Sequence, residues 1–135
     1  CGRTWSPLAP SNYPLAASQP YAGLLSTGQH YLIANNLEEG RALLSIAVTA
    51  PGGRAFCRIW KIRHQQFPKR WLWAGVRSKG QIVKSRVGTP TEWSYPAAVE
   101  HEGNLYVSYT QGKEDCGLSI IPLRALAVET DKERR

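Results

Sequence analysis

Apolar residues in this chain recur in short alternating runs and almost nowhere with the spacing of a helix. The runs fall at 21–25, 30–34, 42–49, 55–63, 97–100, 105–110 and 118–122, each bounded by Gly, Pro or polar clusters. That pattern predicts strands and an all-β fold. Ser26-Thr27-Gly28-Gln29 and His101-Glu102-Gly103-Asn104 lie between such runs and read as hairpin turns, with Gly supplying a positive φ. After Leu123 the chain is short and charged, which predicts one helical turn and then a frayed tail.

A length of 135 residues sets an expectation of one small domain. With 42% hydrophobic and 10% aromatic residues, the chain is not a disordered one. No apolar run approaches the roughly 18 residues that a membrane-spanning helix needs. Residues 1–30 carry Arg3 as their one basic residue and no continuous apolar core, so they do not read as a signal peptide. There is no Met, even at position 1, which is expected of a processed product or a fragment.

The net charge is +7, and its distribution says more than its size. Arg54, Arg58, Lys61, Arg63, Lys69, Arg70, Arg77, Lys79, Lys84 and Arg86 share a window, 54–86, that has no Asp or Glu. Trp60, Phe67, Trp71 and Trp73 are interleaved with them. Such a pattern suits nucleic acid, through counterion release and stacking. It suits carboxylated or sulfated sugars equally, because Arg grips an anion in a bidentate fork. A solvated strand face beside a basic loop would show the same pattern. Cys1, Cys57 and Cys116 are odd in number and lack C-x-x-C spacing, so a zinc ribbon or redox motif has no support. Free buried thiols are the expectation for Cys57 and Cys116. No cluster has metal-ligand spacing, no phosphate loop follows a strand, and no cofactor is expected.

Two internal similarities organise the strands. Gly2-Arg3-Thr4-Trp5 parallels Gly53-Arg54-Ala55-Phe56, each opening a strand. Residues 24–33 (LLSTGQHYLI) parallel 99–108 (VEHEGNLYVS), each a strand, a polar turn with Gly, and a strand with Tyr. A repeated unit of about 50 residues is the mark of a β-propeller blade. Gly-x-x-Trp at a strand start resembles the second half of the sialidase Asp-box, Ser/Thr-x-Asp-x-Gly-x-x-Trp/Phe. Cys1-Gly2-Arg3-Thr4-Trp5 fits the end of one box. Thr49-Ala50-Pro51-Gly52-Gly53-Arg54-Ala55-Phe56 fits a second, with Pro51 in the Asp position. Glu92-Trp93-Ser94-Tyr95-Pro96 with the strands that follow, and the ending 113–123, are similar to the last blade of sialidase-like BNR-repeat propellers. The resemblance runs in order from Cys1 to about Leu126.

This resemblance implies a fragment holding about two four-stranded antiparallel blades of a six-bladed propeller, with 1–126 as C-terminal blades and 127–135 as a charged tail. A full ring needs roughly 300 residues at about 50 per blade, so the remaining blades of a parent chain are expected partners. Alone, two blades would leave open edges and an incomplete core. With strands a to d running outward from the axis, the b–c loops and d–a links share the face that carries the active site in this family. Here they are 35–41, 64–94 and 111–115.

Sialidases act on a sugar whose anomeric carbon bears a carboxylate, and the resemblance implies an acidic glycan or sialoside substrate. The family uses a Tyr nucleophile, a Glu that activates it, an Asp acid/base and three Arg that hold the substrate carboxylate. The nucleophile position falls on Tyr95. The activating Glu position falls at Gln19, an amide that cannot take the phenolic proton as a carboxylate would. One Arg position falls at Asn35, with Arg41 later in the same loop as a substitute, and Arg63 or Arg70 are candidates for another. Glu114 or Asp115 could act as acid or base, with Lys113 as an anion contact. Glu38 and Glu39 occupy the corresponding loop of the preceding blade, and His64 is a possible polar lining residue. His30 and His101 are expected at the opposite face. The alternative to a hydrolase is a non-catalytic propeller that binds glycan or protein, and nucleic-acid binding through 54–86 ranks last. No membrane partner is expected. The family's usual extracellular or periplasmic setting is implied by resemblance alone.

Overall fold

The computed structural model describes residues 3–5, 7, 9–10, 12–37, 40–65 and 92–128. They form β1 (Tyr21–Leu24), β2 (His30–Ala34), β3 (Leu43–Thr49), β4 (Phe56–His64), β5 (Trp93–His101), β6 (Asn104–Gln111) and β7 (Asp115–Pro122), then a 3-10 turn at Leu123–Leu126. Two antiparallel meanders result, in the orders β1-β2-β3-β4 and β5-β6-β7. The fold is all-β, as the alternating runs predict. The first sheet has the four strands of a blade, whereas the second has three among the described residues.

Period-two alternation explains the packing. Leu44, Ile46 and Val48 of β3 share one face with Tyr31 and Ile33 of β2, and this face meets Leu105, Val107 and Tyr109 of β6. Leu123 and Leu126 close the same core from the chain's end. The other face of β3 is buried too: Tyr13 lies over Ala34 and Ala47, and its hydroxyl shares a hydrogen bond with Ser45 Oγ at 2.5 Å. The Phe56 ring meets Tyr13 edge-on, 5.8 Å between centroids.

Close aromatic cover fixes two glycines. Gly23 faces Tyr31 across β1 and β2, and Gly117 faces Tyr109 across β6 and β7. In each case the Tyr ring occupies the place of a side chain at the Gly, and a Cβ there would collide with it.

The β3–β4 connection explains the degenerate box. Gly53 N–H donates to Ala50 O at 2.8 Å, with Pro51 and Gly52 between and Gly52 at φ 70. That is the type II pattern, in which Pro presets the first central residue and Gly takes the left-handed second. Thr49 Oγ1 accepts the His30 N–H at 3.0 Å. Gly52 N–H reaches Gly28 O at 2.8 Å, so the β1–β2 and β3–β4 turns dock on each other. Gln29, buried, donates to Thr49 O and Leu126 O. Leu123 N–H meets Gly103 O at 2.9 Å. The β1–β2, β3–β4 and β5–β6 turns therefore gather at one end, and residues 35–37, 40–42 and 112–114 lie at the other.

Two strands start earlier than the sequence pattern predicts. β5 opens at Trp93 rather than 97, because its register breaks between Ser94 and Ala97. The break holds Tyr95 and Pro96, and Pro cannot give a ladder hydrogen bond. β7 opens at Asp115 rather than 118, its polar start carried by pairing with the long β6. Cys57 and Cys116 are free, as expected, but both are exposed rather than buried. Each sits on a strand side that neither sheet covers.

Truncating the seam should be costly. Ile46→Ala, at a site 1% exposed, should lose about 2–5 kcal/mol of stability, read as a lowered urea midpoint. Alkali gives an independent check. Burial raises the Tyr13 phenol above its ordinary 10.0, with the Ser45 hydrogen bond opposing. Tyr31 is raised by burial and then by Tyr21 and Glu100. A raised native value means that the folded state holds its proton more tightly than the unfolded one. The stability from these neutral phenols is then whole below pH 10 and is lost as pH rises through the raised values. Melting temperature should fall above pH 10, and Tyr31→Phe should flatten that fall.

Candidate functional site

At the loop end, β5 is fastened to the first sheet before it enters the seam. Asn35, 1% exposed, donates through Nδ2 to Leu43 O and to Trp93 O, each at 2.9 Å. Trp93 N–H donates to Arg41 O at 3.0 Å, and its indole N–H reaches Gln111 Oε1 at 3.4 Å. The Asn35 Oδ1 is buried without a partner. Asn35, expected as a substrate contact, therefore spends its amide N–H groups on backbone carbonyls and positions Trp93.

This fastening presents Tyr95. The residue has φ 52, the left-handed region that non-Gly residues rarely adopt, and its side chain is half exposed. Arg41 lies over the ring, Cζ 5.5 Å from the centroid, a cation–π arrangement. Arg41 also donates through Nη1 to Ser94 Oγ at 3.1 Å. Ser94 is buried and accepts from Thr110 Oγ1 through its carbonyl at 3.2 Å. Arg41 has no carboxylate partner among the described residues. The loop between β2 and β3 thus delivers a cation from one sheet onto an aromatic ring from the other.

The neighbouring loop is polar. Gly112 N–H donates to Glu92 O at 2.8 Å, and Lys113, at φ 66, places Nζ 3.8 Å from Glu92 Oε2. That ion pair is exposed and contributes little. Glu114 and Asp115 are exposed beside it, with no side-chain partner among the described residues. Gln19 is exposed just ahead of β1, at the same end, since Ala16 N–H meets Asn35 O at 3.1 Å.

Arg63 is engaged elsewhere. On β4 it donates through Nε to the Tyr109 hydroxyl at 2.5 Å and stacks over that ring at 5.7 Å. Tyr109 in turn shares a hydrogen bond with Ser119 Oγ at 3.0 Å. Arg63 contacts Tyr109 rather than Arg41 or Tyr95. His64 is exposed at the end of β4, while His30 and His101 lie at the turn end, as expected. Arg70, Glu38, Glu39, Phe67, Trp71, Trp73 and the basic residues beyond Arg63 in the 54–86 window lie outside the described residues.

The sequence reading missed Ser94, Trp93 and Glu92 as parts of this site. Their signal was local: a Trp-Ser-Tyr-Pro run at a strand start, in which Pro announces an irregularity. Among the described residues no cluster of His, Cys, Asp or Glu could hold a metal ion, and no helix is long and apolar enough to cross a membrane.

Two meandering sheets packed face to face, with the hairpin turns at one end and the remaining loops at the other, define a pair of propeller-type blades. The BNR repeat-like domain family matches residues 1–107, and the chain belongs to that family. No curated protein and no solved structure matches it.

Removing the Asn35 fastening should cost stability out of proportion to its size. Asn35→Leu leaves two carbonyls without donors, at about 1–3 kcal/mol each. A urea midpoint shift larger than that of an exposed Gln19→Leu control is the expected result.

Proposed function

We propose that this chain is part of a sialidase-like glycoside hydrolase acting on sialic acid or another acidic glycan. The observation that supports it best is the half-exposed, left-handed Tyr95 lying under a guanidinium that has no carboxylate partner among the described residues. A neutral phenol can approach a carboxylate-bearing anomeric carbon without the repulsion that a carboxylate nucleophile would meet. Arg41 offers its free N–H groups to the substrate carboxylate. Glu114 and Asp115 stand in the adjoining loop as candidate proton donor and acceptor, and Lys113 as an added anion contact. Gln19 offers an amide hydrogen bond to the sugar, Arg63 is a more distant cation, and Arg70, outside the described residues, is a further candidate anion contact. The remaining acid/base and Arg groups come from other blades of the parent.

A second reading, a non-catalytic glycan- or protein-binding propeller, draws on a different observation. No carboxylate contacts Tyr95 among the described residues, and Gln19 is an amide where an activating carboxylate is expected.

The complete protein should release fluorophore from sialosides or uronic-acid glycosides. Tyr95→Phe should lower kcat by about 100-fold or more, as loss of a nucleophile does. Arg41→Ala should raise KM about tenfold by removing a charge-assisted contact. Wild-type turnover in Tyr95→Phe would overturn the Tyr mechanism. Absent turnover with Arg41-dependent glycan binding would establish the second reading instead.

A further inference from the structure

β4 is the outer strand of the first sheet, and its far edge pairs with no strand among the described residues. Its charge is all of one sign. Arg54 just ahead of it, and Arg58, Lys61 and Arg63 along it, are exposed, and no Asp or Glu lies between Arg54 and His64. None of the four cations has an ion pair among the described residues. Arg63 spends Nε on the Tyr109 hydroxyl and keeps its two terminal nitrogens.

The register places these cations on both sides of the edge. Arg58 lies opposite Val48 and Arg63 opposite Leu44, which face the seam. Lys61 lies opposite Ser45, whose hydroxyl faces Tyr13 on the other side. From Arg58 to Arg63 the strand runs about 17 Å. A charge of either sign protects an edge from aggregation. A run of one sign adds self-repulsion, which a bound polyanion would relieve.

Length and shape select the partner. A small anion would meet one of these cations at a time. An extended chain with anionic groups at intervals would meet several, with the outward N–H groups of β4 as further donors. The aromatic residues of the strand are turned inward, Phe56 against Tyr13 and Trp60 against the seam. The edge therefore lacks the exposed stacking faces that single-stranded nucleic acid uses.

We propose that the outer edge of β4 binds a linear polysaccharide carrying sulfate or carboxylate groups. This assignment goes beyond the hydrolase reading of the Tyr95 loops and does not depend on it.

The test measures binding of a heparin decasaccharide and of a galacturonic acid decamer to the complete protein by calorimetry at low and at physiological salt. Binding of the first alone would assign sulfate, and binding of both would assign anionic charge as such; in either case affinity should fall as salt rises. Arg58→Gln with Lys61→Gln should weaken binding about two- to thirtyfold, the range of two exposed charge pairs. Arg3→Gln with Arg124→Gln, at exposed sites elsewhere, lowers the net charge equally and should leave binding unchanged. Should the β4 variant misfold, hydrogen exchange on the wild-type protein still decides, since the oligosaccharide should slow exchange across 56–64. No binding of either oligosaccharide, an equal loss in the control pair, or unchanged exchange across 56–64 would overturn the proposal. So would equal or tighter binding of a DNA oligonucleotide of matched charge, which would give the edge to nucleic acid.

Discussion

A β-meander is a sheet with two faces, and neither can be left to water if both are apolar. The contact of β2 and β3 with β6 resolves this for one face of each sheet. Ile33, Leu44, Val48, Leu105 and Val107 are all fully buried there. Because the hydrophobic term scales with area removed from water, this seam outweighs any single polar contact in the chain. It also decides which loops meet. Arg41 belongs to the first sheet and Tyr95 to the second, so their meeting exists only while the sheets are packed. Trp93 belongs to both worlds: it is part of the core and accepts the Asn35 amide through its carbonyl.

Tyr95 carries the clearest local strain. A non-Gly residue in the left-handed region costs on the order of 1 kcal/mol or more and persists only where its surroundings dictate it. Here three constraints act together. Pro96, which follows it, is buried and cannot shift its own φ. Ser94, which precedes it, is held at its carbonyl by Thr110 and at its hydroxyl by Arg41. The register break between Ser94 and Ala97 supplies the room. The result is a phenol ring turned out of the strand and held beneath a cation, instead of one pointing into the seam as Tyr31 does.

Much of this architecture was legible in the residues, because the period-two pattern of 42–49 and 105–110 leaves no helical alternative. The hairpins at Gly28 and Gly103 were legible for the same reason, since turn chemistry is local. The site was legible only at its ends. Tyr95 could be placed by resemblance, but its left-handed backbone is held in part through Ser94 by Arg41 and Thr110, and Arg41 lies far away in sequence. Asn35 was a candidate substrate contact because the resemblance places an Arg position there; only packing shows that its amide is spent on Leu43 and Trp93. Arg63 looked like an anion ligand until the fold set it against Tyr109, which no spacing rule anticipates. The cysteines were misjudged by a general preference of thiols for burial, which gives no weight to the uncovered sides of β4 and β7.

The two ends of the sheets differ in kind. At the turn end, backbone groups satisfy one another: Gly52 with Gly28, Leu123 with Gly103, and Gln29 bridging Thr49 to Leu126. At the loop end, backbone groups are again paired, Trp93 with Arg41 and Gly112 with Glu92, yet the side chains above them are not consumed. Arg41 uses one nitrogen on Ser94 and keeps the rest of its guanidinium, Glu114 and Asp115 stand free among the described residues, and Tyr95 is half exposed. A rigid backbone under unspent polar groups is the arrangement that binding requires, because the ordering cost is met on folding rather than when a ligand arrives. That asymmetry, more than any one residue, sets the loop end apart from the turn end.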